Sequence, residues 1–276
     1  MEYKRILTIQ DISCVGQCSL TVALPVISAC GVETAVLPSA VLSTHTGGFT
    51  GYTFRDLTED MPAIAAHWKK EGLTFDAIYT GYLGSAKQIE YVKSIIKSAG
   101  EANSLTIVDP AMADSGKLYP GFDAAFVEKM KSLCAEADYL LPNITEACLL
   151  THTEFKTEYD RAYIDGMLRG LSALGAKNIV LTGVSYTAGK TGVVVYEQGE
   201  YRYYEHEQIA GGVHGTGDIY ASAFTGAKLR GKTAYEAAVI AADFVLECIK
   251  ETQHDPAHVY GARFEPVLGK LIEALK

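Results

Sequence analysis

The chain has 276 residues and a formal net charge of -9, from 24 Lys and Arg against 33 Asp and Glu. Hydrophobic residues at 48% and charged residues at 21% describe a folded globular protein, which excludes disorder. The acidic excess excludes a basic nucleic-acid footprint. Without a linker, repeat or low-complexity tract, residues 1–276 read as one α/β domain.

Taken in chain order, Arg5 to Ile9 predicts a strand, Ser19 to Cys30 a helix and Glu33 to Leu37 a second strand. Between Asp11 and Arg55 the only formal charge is Glu33, but Gly16, Gln17, Pro25, Gly31 and Pro38 interrupt the stretch. A membrane span needs about 20 mostly apolar residues, so this segment reads as buried structure off the membrane. Residues 44–53 form a glycine-rich loop. Helices are expected over Asp60–Glu71, Ala86–Ala99, Asp123–Cys134 and Glu158–Leu174, with strands at Asp76–Thr80, Leu105–Val108, Tyr139–Leu141 and Asn178–Thr182. Thr191–Tyr196 and Glu200–His206 form a hairpin, and Asp218–Lys250 holds two helices parted by Gly231. Alternating strands and helices predict a mainly parallel central sheet with flanking helices. The opening residues carry no signal-peptide apolar core. The expected location is therefore cytoplasmic, with six free thiols, Cys14 and Cys18 among them as buried small side chains.

In such a sheet, ligands bind beyond the carboxyl ends of the strands. These ends are Gln10-Asp11, Gly81-Tyr82, Asp109-Pro110, Pro142-Asn143 and Thr182-Gly183. Gly215-Thr216-Gly217 opens a helix, where unpaired amides and the positive dipole end make an anion pocket. Asp218 follows in the first turn. A glycine-rich turn with Asp218 as a plain helix-start residue is the competing reading. Two nucleotide motifs fail: Gly183 to Lys190 has five residues between its glycines where a P-loop needs four, and Tyr220 stands where a dinucleotide fingerprint needs its third glycine. Asp109, Asp114 and Glu146 form an acidic set able to meet Mg²⁺, directly or through water. The alternative is that each is a cap or turn residue. Thr145-x-x-Cys148 does not complete a capping box, which leaves Glu146 without an evident structural partner. His45 and His214 are candidate bases or ordinary loop histidines.

The segments IQDISCVGQCS, STHTGG, TGYLGS, VDPAMAD, PNITEA, VLTG and HGTGD occur in this order. Together they resemble the pyridoxal kinases of the ribokinase-like superfamily. The resemblance implies a three-layer α/β/α fold and ATP- and Mg²⁺-dependent phosphorylation of the 5′-hydroxymethyl group of vitamin B6 vitamers. In that reading Asp218 is the general base, and the Gly215, Thr216 and Gly217 amides stabilise the transferred phosphoryl group. Asp109, Asn143, Glu146, Thr182 and Gly183 lie by the nucleotide, with Asp109, Asp114 and Glu146 toward the metal. Asp11, Ser13, Thr46, Gly47 and Tyr82 line the pyridine site. A homodimer is also implied. Asp11 stands where many pyridoxal kinases carry Ser, VDPAMAD replaces the more usual DPVxGD, and the GGVHGTGD loop lacks the cysteine of some dual-specificity relatives. The alternatives are a hydroxymethylpyrimidine, sugar or other small-alcohol kinase on the same fold and, in a different class, a non-catalytic pyridoxal phosphate binder.

Overall fold

The computed structural model describes residues 3–255 and 257–276. Its frame is one nine-stranded sheet. The strands are β1 (Arg5–Ser13), β2 (Glu33–Leu42), β3 (Phe54–Asp56), β4 (Phe75–Thr80), β5 (Gly100–Val108), β8 (Tyr139–Leu140), β9 (Asn178–Val184), β10 (Lys190–Glu197) and β11 (Glu200–Glu207). β6 (Ala113–Asp114) and β7 (Lys117–Leu118) form a separate two-residue ribbon. The order across the sheet is β11-β10-β9-β8-β5-β4-β1-β2-β3. The six strands from β9 to β2 run parallel; at the edges β3 pairs antiparallel with β2, and β10 pairs antiparallel with both β9 and β11.

Strands covered on both faces read as near-continuous apolar runs, and alternate residues feed opposite layers. Ile6, Ala77, Tyr79 and Ile107 pack against α1 (Leu20–Ala29), α7 (Thr216–Leu229), α8 (Ala234–Gln253) and α9 (Leu268–Ala274). Leu7, Ile9, Ile78 and Val108 face the layer of α2 (Met61–Glu71), α3 (Ala86–Ala99), α4 (Ala124–Cys134), α5 (Ile144–Thr151) and α6 (Arg161–Ala173). The result is the expected three-layer α/β/α arrangement. Among the described residues, no helix is long and apolar enough to cross a membrane.

β1 leads to β2 on one side, while β4, β5, β8 and β9 follow on the other. This places the topological switch point between β1 and β4, where a crevice opens beyond the strand ends. The pairing of β1 with β2 also slips between Gln10 and Ile12, leaving Asp11 out of register beside that crevice.

Several boundaries differ from the sequence expectation. β1 and β2 run to Ser13 and Leu42, past Pro38, because the sheet continues over positions where local propensity is weak. The edge strand β3 and helices α5 and α9 have too few residues for a periodic signal. Helix α6 starts at Arg161 rather than Glu158, because the Asp160 carboxylate accepts from the Tyr163 amide and caps it there. Cys14 is exposed and Cys18 half-buried, contrary to the expectation of buried small side chains, because the 14–19 segment is surface loop between β1 and α1.

Candidate active site

Asp218 lies in the first turn of α7, whose N-cap is Gly215 at φ 79°. Two constraints converge on Gly215. That φ is left-handed, and a Cβ there would stand 1.6 Å from the Gln17 carbonyl oxygen. The close approach brings the 14–19 loop against the start of α7. Ser19, the N-cap of α1, is itself held at φ 53°, a sparsely populated region for a non-glycine residue. From there its backbone amide donates to the Asp218 carboxylate.

Asp11 is 5% exposed, and its Oδ2 accepts from Ser13 Oγ at 3.0 Å. Burial raises its pKa, with hydrogen bonds from Ser19 and Ser13 opposing. Burial pushes Asp218 up to about 7, the Ser19 amide pulls it down and the charge of Asp11 lifts it again. A carboxyl titrating near neutrality is suited to accept a proton from an alcohol. Tyr82 completes this side of the crevice. Its hydroxyl pKa rises to about 12 through burial and then through nearby Asp11, and its ring lies 5.5 Å from Phe122.

The 44–53 loop reaches the same place from the other direction. His45 is buried, with Nε2 3.1 Å from the Tyr260 carbonyl oxygen and Nδ1 accepting from the Gly47 amide at 3.1 Å. Burial lowers its pKa, and both bonds together fix a neutral ring protonated at Nε2. That arrangement makes it a brace rather than a base. The His214 ring lies 5.4 Å from that of His45, tilted by 49°, and a Cβ on Gly47 would meet the His214 ring at 2.8 Å. Gly47 thus packs against the loop that precedes Gly215, with Thr46 exposed beside it.

The second half of the site lies along the ends of β5, β8 and β9. Asp109 follows β5, with its amide donating to the Thr80 carbonyl at 2.9 Å. Burial drives its pKa well upward, followed by the charges of Glu146 and Asp218. Asn143 pairs with Thr182 as an isolated parallel bridge, and Thr182 donates its amide to the Pro142 carbonyl at 2.9 Å. Gly183, at φ 75°, is exposed at the rim.

Glu146 corrects the sequence reading. It forms a capping box with Asn143: Asn143 Oδ1 accepts from the Glu146 amide at 2.9 Å, and Glu146 Oε2 accepts from the Asn143 amide at 2.9 Å. The box is Asn143-x-x-Glu146, starting two residues before the Thr145-x-x-Cys148 spacing. Glu146 Oε1 also accepts from the Met112 amide at 3.1 Å. Burial raises the Glu146 pKa, with these amides opposing. Asp114 is exposed, and its Oδ1 accepts from the Ser115 amide at 2.7 Å.

Among the described residues, no three His, Cys, Asp or Glu side chains converge into a cage able to hold a metal ion. Asp109, Asp114 and Glu146 therefore do not make a direct three-carboxylate site. Asp109, at the end of β5, is crowded by the charges of Glu146 and Asp218, with the Ala111 amide as its opposing hydrogen bond. The crowding of Asp109, Glu146 and Asp218 fits a cation arriving on a triphosphate and keeping several waters. A 230 Å³ surface recess lies at the opposite, amino ends of β1 and β4. Its Asp76 and Glu33 are engaged by Lys4 and Arg5, so it lacks the unpaired groups of the carboxyl-end crevice.

The phosphomethylpyrimidine kinase family model matches residues 23–262, a span that runs from α1 past Asp218. The chain belongs to this family. Among solved structures, a candidate phosphomethylpyrimidine kinase from Bacteroides thetaiotaomicron, crystallised with pyridoxal, is 36% identical with a TM-score of 0.91 and covers 99% of this chain and 96% of that one. A pyridoxal kinase from Lactobacillus plantarum is 31% identical with a TM-score of 0.91, covering 99% and 98%. A pyridoxine/pyridoxal/pyridoxamine kinase from Bordetella pertussis is 28% identical over 264 residues, 90% of this chain and 89% of its own. The fold is the ribokinase-like one that the sequence resemblance implied.

Among this family member's site residues, several carry no sequence signal. Ser19 is not a glycine, so its positive φ is hidden. Tyr119 lies near Glu146, Asp109 and Asp218, which raise its hydroxyl pKa after burial does, yet nothing in its spacing marks it.

Proposed function

We propose that this chain is an ATP-dependent kinase of vitamin B6 vitamers, transferring the γ-phosphoryl group to the 5′-hydroxymethyl oxygen of pyridoxal, pyridoxamine or pyridoxine. The observation that carries the reading is Asp218. It is a carboxyl raised to about 7, at a helix N-terminus, facing the switch-point crevice. The pyridoxal-bound Bacteroides relative supports the substrate class.

Phosphoryl transfer is largely positioning and charge stabilisation. Asp218 takes the hydroxyl proton as the oxygen attacks. The first-turn amides at Gly215, Thr216 and Gly217, with the helix dipole, stabilise charge on the transferred group. Asp109 would hold, directly or through water, a magnesium ion entering with the nucleotide, which when bound would supply charge neutralisation at the phosphate oxygens. Asn143, Thr182 and Gly183 line the phosphate path, while Glu146 holds Asn143 and the 112–113 segment in place and Asp114 would meet the cation only through water. Asp11, Ser13, Thr46, Gly47 and Tyr82 form the pyridine side. The carboxylate of Asp11 favours the cationic amine of pyridoxamine through a charge-assisted hydrogen bond. The enzyme works as a single domain, a cytoplasmic homodimer, which light scattering and fractionation test.

The deciding experiment is an ADP-release assay across pyridoxal, pyridoxamine, pyridoxine, hydroxymethylpyrimidine and ribose. Turnover of B6 vitamers is expected; turnover of ribose alone would overturn the substrate class. Hydroxymethylpyrimidine is the second reading, favoured by the family model that matches the chain. Preference for it over every B6 vitamer would select that reading.

A further inference from the structure

Beneath Asp218, between the sheet and α7, lies a group of polar side chains with no assigned role. Tyr79 on β4, Gln10 on β1 and Ser222 and Thr225 on α7 are each 0% exposed. Tyr79 OH, Gln10 Oε1, Ser222 Oγ and Thr225 Oγ1 are all buried without a hydrogen-bond partner. Buried polar atoms are rarely left unpaired, so four of them beside one helix mark a place where polarity is retained against its cost in stability.

The backbone explains how they meet. Tyr79 pairs in register with Thr8 across β1 and β4, and Gln10 Nε2 donates to Thr8 Oγ1 at 2.8 Å. This hydrogen bond leaves Gln10 Oε1 over Gly81, where a Cβ would approach it to 2.6 Å. Residues four apart on a helix share a face, so Ser222 stands one turn below Asp218. The Tyr79 hydroxyl is close to Ser222 and Gln10 without completing a good hydrogen bond to either, and it feels the charges of Asp109 and Asp218. Burial keeps that phenol protonated, hence a permanent donor.

We propose that Tyr79 is a positioning residue for phosphoryl transfer, its hydroxyl joining β4 to Ser222 and Gln10, directly or through one internal water, and so fixing the first turn of α7 that carries Asp218. The inference rests on the reading of Asp218 as the base. A polar cluster with two to four partners for a water is the kind of site that holds one. Small misplacements of a reacting group carry large rate costs. Asp11, Cys18, Asp109 and Tyr119 also face Asp218, but none of them lies on α7 or on β4.

The test is a double-mutant cycle with Tyr79→Phe, Ser222→Ala and Asp218→Asn, read by kcat, by KM for ATP and pyridoxal, and by thermal unfolding. Tyr79→Phe is expected to lower kcat about tenfold with both KM values within about twofold, the signature of an interaction made in the transition state. In the Asp218→Asn background the same change should alter the residual kcat by less than about twofold, because its effect passes through Asp218. An equal loss in both backgrounds, or an unchanged kcat in folded Tyr79→Phe, overturns the proposal. Should Tyr79→Phe fail to fold, Ser222→Ala removes the hydroxyl on the helix side and must show the same coupling. Full activity in Asp218→Asn alone would instead overturn the base assignment, and the positioning role with it.

Discussion

Replacing Asp218 by Asn should abolish most activity and yet stabilise the protein, and the second effect has a defined pH dependence. The folded carboxyl titrates near 7, chiefly because burial strips its hydration, whereas an unfolded aspartate titrates near about 3.9. Below pH 4 both states are protonated and the group contributes nothing. Between about pH 4 and 7 the unfolded chain ionises while the folded one does not, so stability falls as pH rises; above 7 the full penalty is in place. At about 1.36 kcal/mol per pH unit, a gap of about three units corresponds to about 4 kcal/mol. Asp218 is only half-buried, and residual contact with water reduces this to about 2–3 kcal/mol. Asn escapes the penalty. Urea unfolding of both proteins without nucleotide should therefore show Asp218→Asn more stable at pH 8, with the gain shrinking by more than about 1 kcal/mol at pH 5. The same base predicts that kcat/KM declines about tenfold per unit below pH 7, and that the Asn variant loses at least about 10²-fold in kcat. A variant no more stable than wild type at pH 8, or equally stabilised at both pH values, would refute the desolvation argument.

Gly215→Ala should lower stability by at least about 2 kcal/mol, since it combines left-handed strain of about 1 kcal/mol with a Cβ driven into the Gln17 carbonyl; an unchanged melting temperature would contradict this. Asp11→Ser should lower the kcat/KM ratio of pyridoxamine over pyridoxal by about tenfold, the worth of one charge-assisted hydrogen bond. An unchanged ratio rejects the role given to that carboxylate. Glu146→Gln sets an amide NH2 against a backbone N–H that the carboxylate now satisfies, so about 1–3 kcal/mol of stability should be lost and KM for ATP should rise, as denaturation and steady-state kinetics will report. Chelation with EDTA should stop turnover, reversibly on adding Mg²⁺, without moving the melting temperature. A large fall in melting temperature would reveal a resident metal that the described carboxylates do not cage.

The layered fold and the strand ends were legible because buried parallel strands are written as apolar runs closed by polar or glycine residues, as in DAIYT-GY and LTIV-DP. What escaped was whatever depends on pairing at a distance. β8 has two residues and exists only because β5 and β9 flank it. The Asn143–Glu146 box is written in the sequence, but a Glu beside two other strand-end acids reads equally as a metal ligand until the start of α5 is fixed by its fold. Asp11 and Asp218 come from opposite ends of the chain, so no local pattern reveals that one raises the pKa of the other.

This crowding of carboxylates gives the acidic charge a sharper meaning than the net -9 alone. Asp11, Asp109, Glu146 and Asp218 all have raised pKa values, with burial the largest cause for each and neighbouring carboxylates adding to three of them. A site that repels its own charges cannot attract a bare triphosphate by its overall field. On the proposed function, phosphate binding would therefore rest on the amides and dipole at the start of α7 and on a cation brought by the nucleotide to Asp109, rather than on the overall field.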